Sequence, residues 1–219
     1  MTARDLVRRH VTAVDGEASL AARARRNRWN ELVSRFPALD SMRVLDLGGV
    51  PAQWTRRPIR PAQVVTVNLE SHPPVEEPWI VAVRGDACDL PAPVRSERFD
   101  LVYSNSVLEH VGGHARRVAF AESVHAAADH HWVQTPYRYF PVEPHWLFPG
   151  FQFLPVRARV ALSERWPLGH IRSADRSTAL TDVAWVELIG LTEMRSYFPD
   201  SEIWREGFGG LTKSLVAVR

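Results

Sequence analysis

Met42-Arg-Val-Leu-Asp-Leu-Gly-Gly49 is the stretch on which the fold turns. Apolar residues flanking one aspartate make a short strand over Arg43 to Leu47, and the paired glycines end it in a tight turn. Glycines at that point let the backbone approach a nucleoside-bearing ligand closely, because no side chain stands in the way at Gly48 or Gly49.

Working outward, Val64 to Leu69 reads as a second strand after a proline-rich loop, Trp79 to Arg84 as a third, Asp100 to Tyr103 as a fourth and His131 to Thr135 as a fifth. Pro51, Pro58 and Pro61 confine the first crossover to a short helix around Gln53 to Arg57. Helices are expected over Val107 to His110 and His114 to Ala127, and residues 1–37 carry helical spacing at Leu6, Val7, Val11 and Val14 and again at Leu20, Trp29, Leu32, Val33 and Phe36, with Gly16 dividing them. Strands alternating with helices imply a doubly wound, Rossmann-like α/β fold with its ligand at the carboxyl ends of the strands. After a proline- and aromatic-rich insertion from Pro136 to about Ser173, with a helix at Arg157 to Arg165, an amphipathic helix is expected over Val183 to Phe198. Strands Ser201 to Glu206 and Leu211 to Arg219, joined by Gly207 to Gly210, then close the sheet as an antiparallel hairpin. The expected architecture is a mostly parallel seven-stranded sheet with helices on both faces. It forms one domain over 1–219: N-terminal helices to 40, a ligand-binding core at 41–135, a lid insertion at 136–175, and a C-terminal helix and hairpin at 176–219.

With 219 residues and 45% hydrophobic content, the chain buries a full core without needing assembly to fold. Oligomeric state is left open between monomer and homodimer. A net charge of +2 gives no polyanion-binding surface, so nucleic acid is not an expected partner. Cys88 is the single cysteine, which excludes an intramolecular disulfide, and no continuous apolar segment marks a signal peptide or a membrane span. The expected location is the cytoplasm.

The order of LDLGG, the NLE ending at Glu70, GDACDLP, FDLVYSNSVLEHV and the terminal hairpin resembles the class I S-adenosylmethionine-dependent methyltransferases. Within them it is similar to the small bacterial type 11-like branch whose fifth strand continues as TPxRxFPxEPH. The resemblance implies S-adenosyl-L-methionine as cofactor. It places Asp46, Gly48 and Gly49 beside the methionine tail and ribose, and Asn68 or Glu70 at the ribose diol. Asp86 and Ala87 fall at the adenine amine and ring nitrogen, and Ser104 and Asn105 along the cofactor, with Ser106 following them. Two departures stand out. Val50, Pro51 and Ala52 occupy the turn where the family has further glycines, which stiffens it, and Asn68 stands where an acidic residue is usual.

The insertion chooses the substrate. Tyr137, Arg138 and Tyr139, with His110 from the preceding segment, are the expected acceptor contacts, held by Pro136, Pro141 and Pro144. His145, oriented by Glu143, is the expected base for an oxygen or nitrogen acceptor. No metal is expected, since HExxH and cysteine pairs are absent and Gly112-Gly113 interrupts the His110 to His114 spacing. The aromatic run from Trp146 to Phe153 reads as core or lid packing, or as a surface that meets a membrane or lipid-linked acceptor.

The expected function is methyl transfer to a small molecule such as a hydroxyl of a sugar, lipid-linked glycan or secondary metabolite. The alternatives are a non-catalytic methyltransferase-like binding subunit and an NAD-dependent oxidoreductase. Against the latter, G-x-G-x-x-G is absent after the first strand.

Overall fold

The computed structural model describes residues 20–73, 75–171 and 173–219. The helical spacing read at Leu6 to Val14 and the break at Gly16 lie outside them.

Helix α1 (Leu20–Arg35) leads to β1 (Arg43–Leu47), a one-turn α2 (Pro51–Trp54), β2 (Gln63–Asn68), β3 (Ile80–Arg84), a short α3 (Ala92–Arg95), β4 (Leu101–Asn105), α4 (Gly113–Ala127) and β5 (His131–Pro136). A two-residue ribbon, β6 (Val142–Glu143) with β7 (Phe148–Pro149), opens the insertion. Then come α5 (Val156–Arg165), α6 (Arg176–Trp185), α7 (Leu191–Tyr197), β8 (Glu202–Phe208) and β9 (Leu211–Val218). The main sheet has seven strands in the order β3-β2-β1-β4-β5-β9-β8. The first five are parallel, and β9 and β8 run antiparallel to their neighbours. The order reverses between β1 and β4, and a ligand cleft belongs at that switch point.

Alternation along the strands sends side chains into two cores. Leu45, Leu47, Val102, Val133 and Ala217 face Phe120, Val124, Met194 and Tyr197 of α4 and α7. On the other face Val44, Leu101, Tyr103, Trp132 and Val216 pack against Trp29 and Leu32 of α1 and Trp54 of α2. Arg28 ties α1 to the sheet by an ion pair to the buried Glu206 and a hydrogen bond to Asn105.

Two expectations are corrected and one open alternative is decided. Val107 to His110 is a single turn, closed by the His110 N–H to the Val107 carbonyl, and Gly112 and Gly113, both at positive φ, delay the helix. The helix expected over Val183 to Phe198 is two helices. Between them the chain is extended: Ile189 bridges Tyr137 and accepts from the Arg138 N–H, while the Glu187 N–H donates to the Glu109 carbonyl. Backbone pairing with the insertion thus outweighs helical spacing here. Of the two readings of the run Trp146 to Phe153, core packing is the one found. Trp146 and Phe151 stack at 4.3 Å inside a third core with Val160, Ala179 and Val183, and of its aromatic residues only Phe153 is exposed. Among the described residues no helix is long and apolar enough to cross a membrane.

Candidate active site

A cleft of about 740 Å³ opens at the carboxyl ends of β1, β2, β3 and β4. Gly48, Val67, Asn68, Asp86, Ala87, Ser106, Val107 and His110 line it, and Leu180, Thr181, Ala184 and Trp185 of α6 form its far wall. Five expected site residues therefore converge there: Gly48, Asn68, Asp86, Ala87 and His110.

Local chemistry explains the shape. Gly48 has φ +79°, and a Cβ on it would come within 2.3 Å of Val107. Its glycine is required by backbone conformation and by the following loop together. Asn68 spans the turn: its Nδ2 donates to the Gly48 carbonyl at 3.0 Å and the Gly49 carbonyl at 3.3 Å, and its Oδ1 accepts from the Glu70 N–H. An acidic residue would set a carboxylate against those carbonyls, so the departure at Asn68 matches a bracing role. Asp86 accepts from Arg116 through both oxygens and from the Cys88 N–H. Burial raises its pKa, but those hydrogen bonds outweigh it and hold the carboxyl below its usual value.

The remaining expected cofactor residues do not line the cleft. Asp46 is buried on the opposite face of β1, where its Oδ2 accepts from Trp54 Nε1 at 2.7 Å. Gly49 covers it, since a Cβ there would fall 1.9 Å from Oδ2. That glycine makes room for Asp46 rather than for a ligand. Burial pushes Asp46 up to about 7, against the Trp54 hydrogen bond and the Arg57 charge. Glu70 is exposed beyond the end of β2, where strand alternation no longer aims it with Asn68. Ser104 is buried and donates to the Leu47 carbonyl, and Asn105 accepts from Arg28 on the other face. Ser106 takes the place expected of them, at φ 57° and with its hydroxyl donating to Gln134. A left-handed serine at a strand end is a strained position of the kind found at binding sites.

Beside His110 lies a second polar assembly. Glu143, 1% exposed, accepts from His145 Nδ1 at 2.7 Å through one oxygen and from the His145 and Trp146 N–H groups through the other. His145 Nε2 points at His110 Nε2, 3.1 Å away. Burial lowers His110 to about 4. For His145 burial acts the same way, but the hydrogen bond and charge of Glu143 outweigh it and leave its pKa raised. Glu109, fully buried, accepts from Thr135 through Oε2, and burial pushes it up to about 7.

Of the other expected acceptor contacts, Tyr137 is half-buried in the β5–β9 seam and Tyr139 is exposed against Phe153. Arg138 lines a further cavity of about 260 Å³ on the far side of Glu143 with Arg117 and Arg159. The α6 wall was missed from sequence. Its signal was Asp175, which caps the helix by accepting from the Thr178 N–H and puts Leu180, Thr181, Ala184 and Trp185 on one face.

The family model described as a methyltransferase domain matches residues 45–128. A search of curated protein sequences found no match. Among solved structures, an S-adenosylmethionine-dependent methyltransferase from Mesorhizobium loti is 17% identical, with a TM-score of 0.54 over 87% of this chain and 97% of that one. The 1,6-didemethyltoxoflavin-N1-methyltransferase of Burkholderia thailandensis is 14% identical, with a TM-score of 0.52 over 90% of this chain and 78% of its own. Magnesium protoporphyrin IX methyltransferase from Synechocystis is 12% identical, with a TM-score of 0.51 over 98% and 90%. The fold is thus that of the class I S-adenosylmethionine-dependent methyltransferases. Residues 45–128 match the methyltransferase-domain model, and S-adenosylmethionine is the cofactor that such a domain implies.

Proposed function

We propose that this chain transfers a methyl group from S-adenosylmethionine to an oxygen of a small hydroxylated molecule, at the junction of the glycine-lined cleft and the His110–His145 pair. The observation that carries the reading is the position of His110, which lines the cleft and touches His145 behind it. The cleft fits the cofactor on its own terms. Val67, Leu69, Ala87 and Val107 offer apolar walls to a flat base, Asp86 offers a carboxylate edge, and Gly48 leaves one rim open to the backbone. A nucleoside with an amino-acid tail falls within the volume such a site provides.

Bound there, the cofactor supplies an electrophilic methyl on a cationic sulfonium, and transfer forms an oxygen–carbon bond as the carbon–sulfur bond breaks and its electron pair stays on sulfur. The protein's part is alignment, exclusion of water and removal of the hydroxyl proton. Trp185 and Leu180 line the outer side. In this reading the proton passes by way of His110, which lines the cleft, to His145 Nε2 3.1 Å behind it, giving an imidazolium that Glu143 stabilises from the other side, as the raised basicity of His145 favours. His110, held neutral by burial, stands between them and the cleft.

Calorimetric titration with S-adenosylmethionine and S-adenosylhomocysteine tests the cofactor half, with one site per chain expected. Folded protein that binds neither overturns it. A panel of hydroxylated acceptors followed by release of S-adenosylhomocysteine tests the other half.

A further inference from the structure

We infer that Glu109, His110 and His145 form a binding site for one divalent first-row transition-metal ion such as Zn²⁺, with open coordination positions toward the cleft. One ligand atom from each of Glu109, His110 and His145 lies within 4.8 Å of the other two. Metal–ligand bonds near 2.1 Å place neighbouring donors about 3 to 3.5 Å apart. The two Nε2 atoms are 3.1 Å apart, and Glu109 Oε1 is 3.9 Å from His110 Nε2.

With Glu109 ionised, three acceptor atoms converge with too few protons to satisfy them. His145 spends its Nδ1 proton on Glu143, so the neutral ring turns a bare lone pair toward His110. One proton shared between the rings settles that pair but leaves Glu109 Oε1, which is fully buried and has no hydrogen-bond partner. A buried carboxylate oxygen without a donor is costly, and a cation satisfies all three atoms at once.

The surroundings are those of a metal ligand set. Glu143 on Nδ1 of His145 is the carboxylate–histidine arrangement that fixes ring orientation and strengthens the ligand, and Thr135 holds the second oxygen of Glu109. Two imidazoles and one carboxylate suit zinc or iron rather than magnesium or calcium, and three protein ligands leave room for an outside oxygen. His110 lines the cleft, so that oxygen arrives from the cleft side.

The ion site stands on this cluster alone; its use in presenting an acceptor oxygen rests on the methyltransferase reading. An ion held by both Nε2 atoms occupies the lone pair that proton acceptance at His145 needs, so the two uses of His145 exclude each other.

The test uses the full chain, without an affinity tag, stripped by chelation and titrated with Zn²⁺ by calorimetry and with Co²⁺ by absorption. One ion per chain is expected, with visible Co²⁺ bands. Affinity should fall at least tenfold in Glu109→Gln and in His145→Asn, and roughly 10–100-fold in Glu143→Gln. S-adenosylhomocysteine binding, measured on the same samples, reports folding and the cofactor site independently. Wild-type protein that binds the cofactor product but neither Zn²⁺ nor Co²⁺ overturns the metal site and leaves His145 as base. Metal binding that all three variants retain also overturns it. Metal binding that the variants lose, in protein that never binds the cofactor product, keeps the ion site and removes the methyltransferase reading.

Discussion

Asp46 and Glu109 are both buried carboxylates near the carboxyl ends of central strands, and burial pushes each up to about 7. Their surroundings differ. Asp46 is sealed under Gly49 and Trp54 on the α1 face of the sheet, with an indole N–H on its oxygen. Glu109 has one oxygen on Thr135 and the other bare, 3.9 Å from an imidazole that lines the cleft. Desolvation therefore does not tell the two apart. What separates them is whether the buried group has an unmet demand that opens onto a ligand-sized space.

The largest expected difference is in activity. Glu109→Gln removes the carboxylate that raises the basicity of His145 and lies 3.9 Å from His110, and should lower methyl transfer by about 100-fold or more, the scale of losing the proton acceptor it supports. Asp46→Asn should keep methyl transfer within about tenfold, one kinetic decade being about 1.4 kcal/mol. Turnover of both variants with one acceptor checks this, and equal losses would erase the distinction.

Stability against pH comes next. The unfolded chain releases the Asp46 proton near its ordinary value of 3.8 and the folded chain near 7. Between those values the folded state holds more protons, so this group's contribution to stability falls as pH rises, by about 1.4 kcal/mol per pH unit, and is level above 7. Asp46→Asn removes that slope. Urea unfolding at stepped pH, wild type minus variant, should show the difference falling steadily from pH 4 to 7, and a flat difference would mean that Asp46 is not held protonated.

Gly49→Ala should destabilise the protein by about 2–3 kcal/mol, because the new methyl meets a carboxylate already fixed by Trp54. Denaturant midpoints measure it, and a neutral result would show that Asp46 moves freely. The smallest effect is expected at Asp86→Asn, which leaves Arg116 without its partner at the cleft edge and should weaken S-adenosylhomocysteine binding about tenfold. Calorimetry reads it, and unchanged affinity would take Asp86 out of the cofactor contacts.

The strand order, the glycine turn, the terminal hairpin and the Glu143–His145 pair were legible because each depends on residues close in sequence or on plain alternation. Glu70 misled because β2 stops at Asn68, and strand periodicity does not extend past the last ladder bond. Ser104 and Asn105 misled by one or two positions: the chain turns at Ser106, and only a residue in that turn faces the cleft. The single helix expected over Val183 to Phe198 hid the pairing of Ile189 with Tyr137, a contact between distant segments that no local spacing encodes.

By itself, then, the sequence determined a doubly wound sheet, the turn at Gly48 and the histidine that Glu143 orients, because hydrophobic alternation, glycine dihedrals and a two-residue reach are local properties. Only the tertiary structure decided that Asp46 is sealed away, that α6 walls the cleft, and that His110 meets His145 across 35 residues of chain. Those outcomes depend on how two loops settle against a shared core, and the packing energy that sets them is spread over residues far apart in sequence.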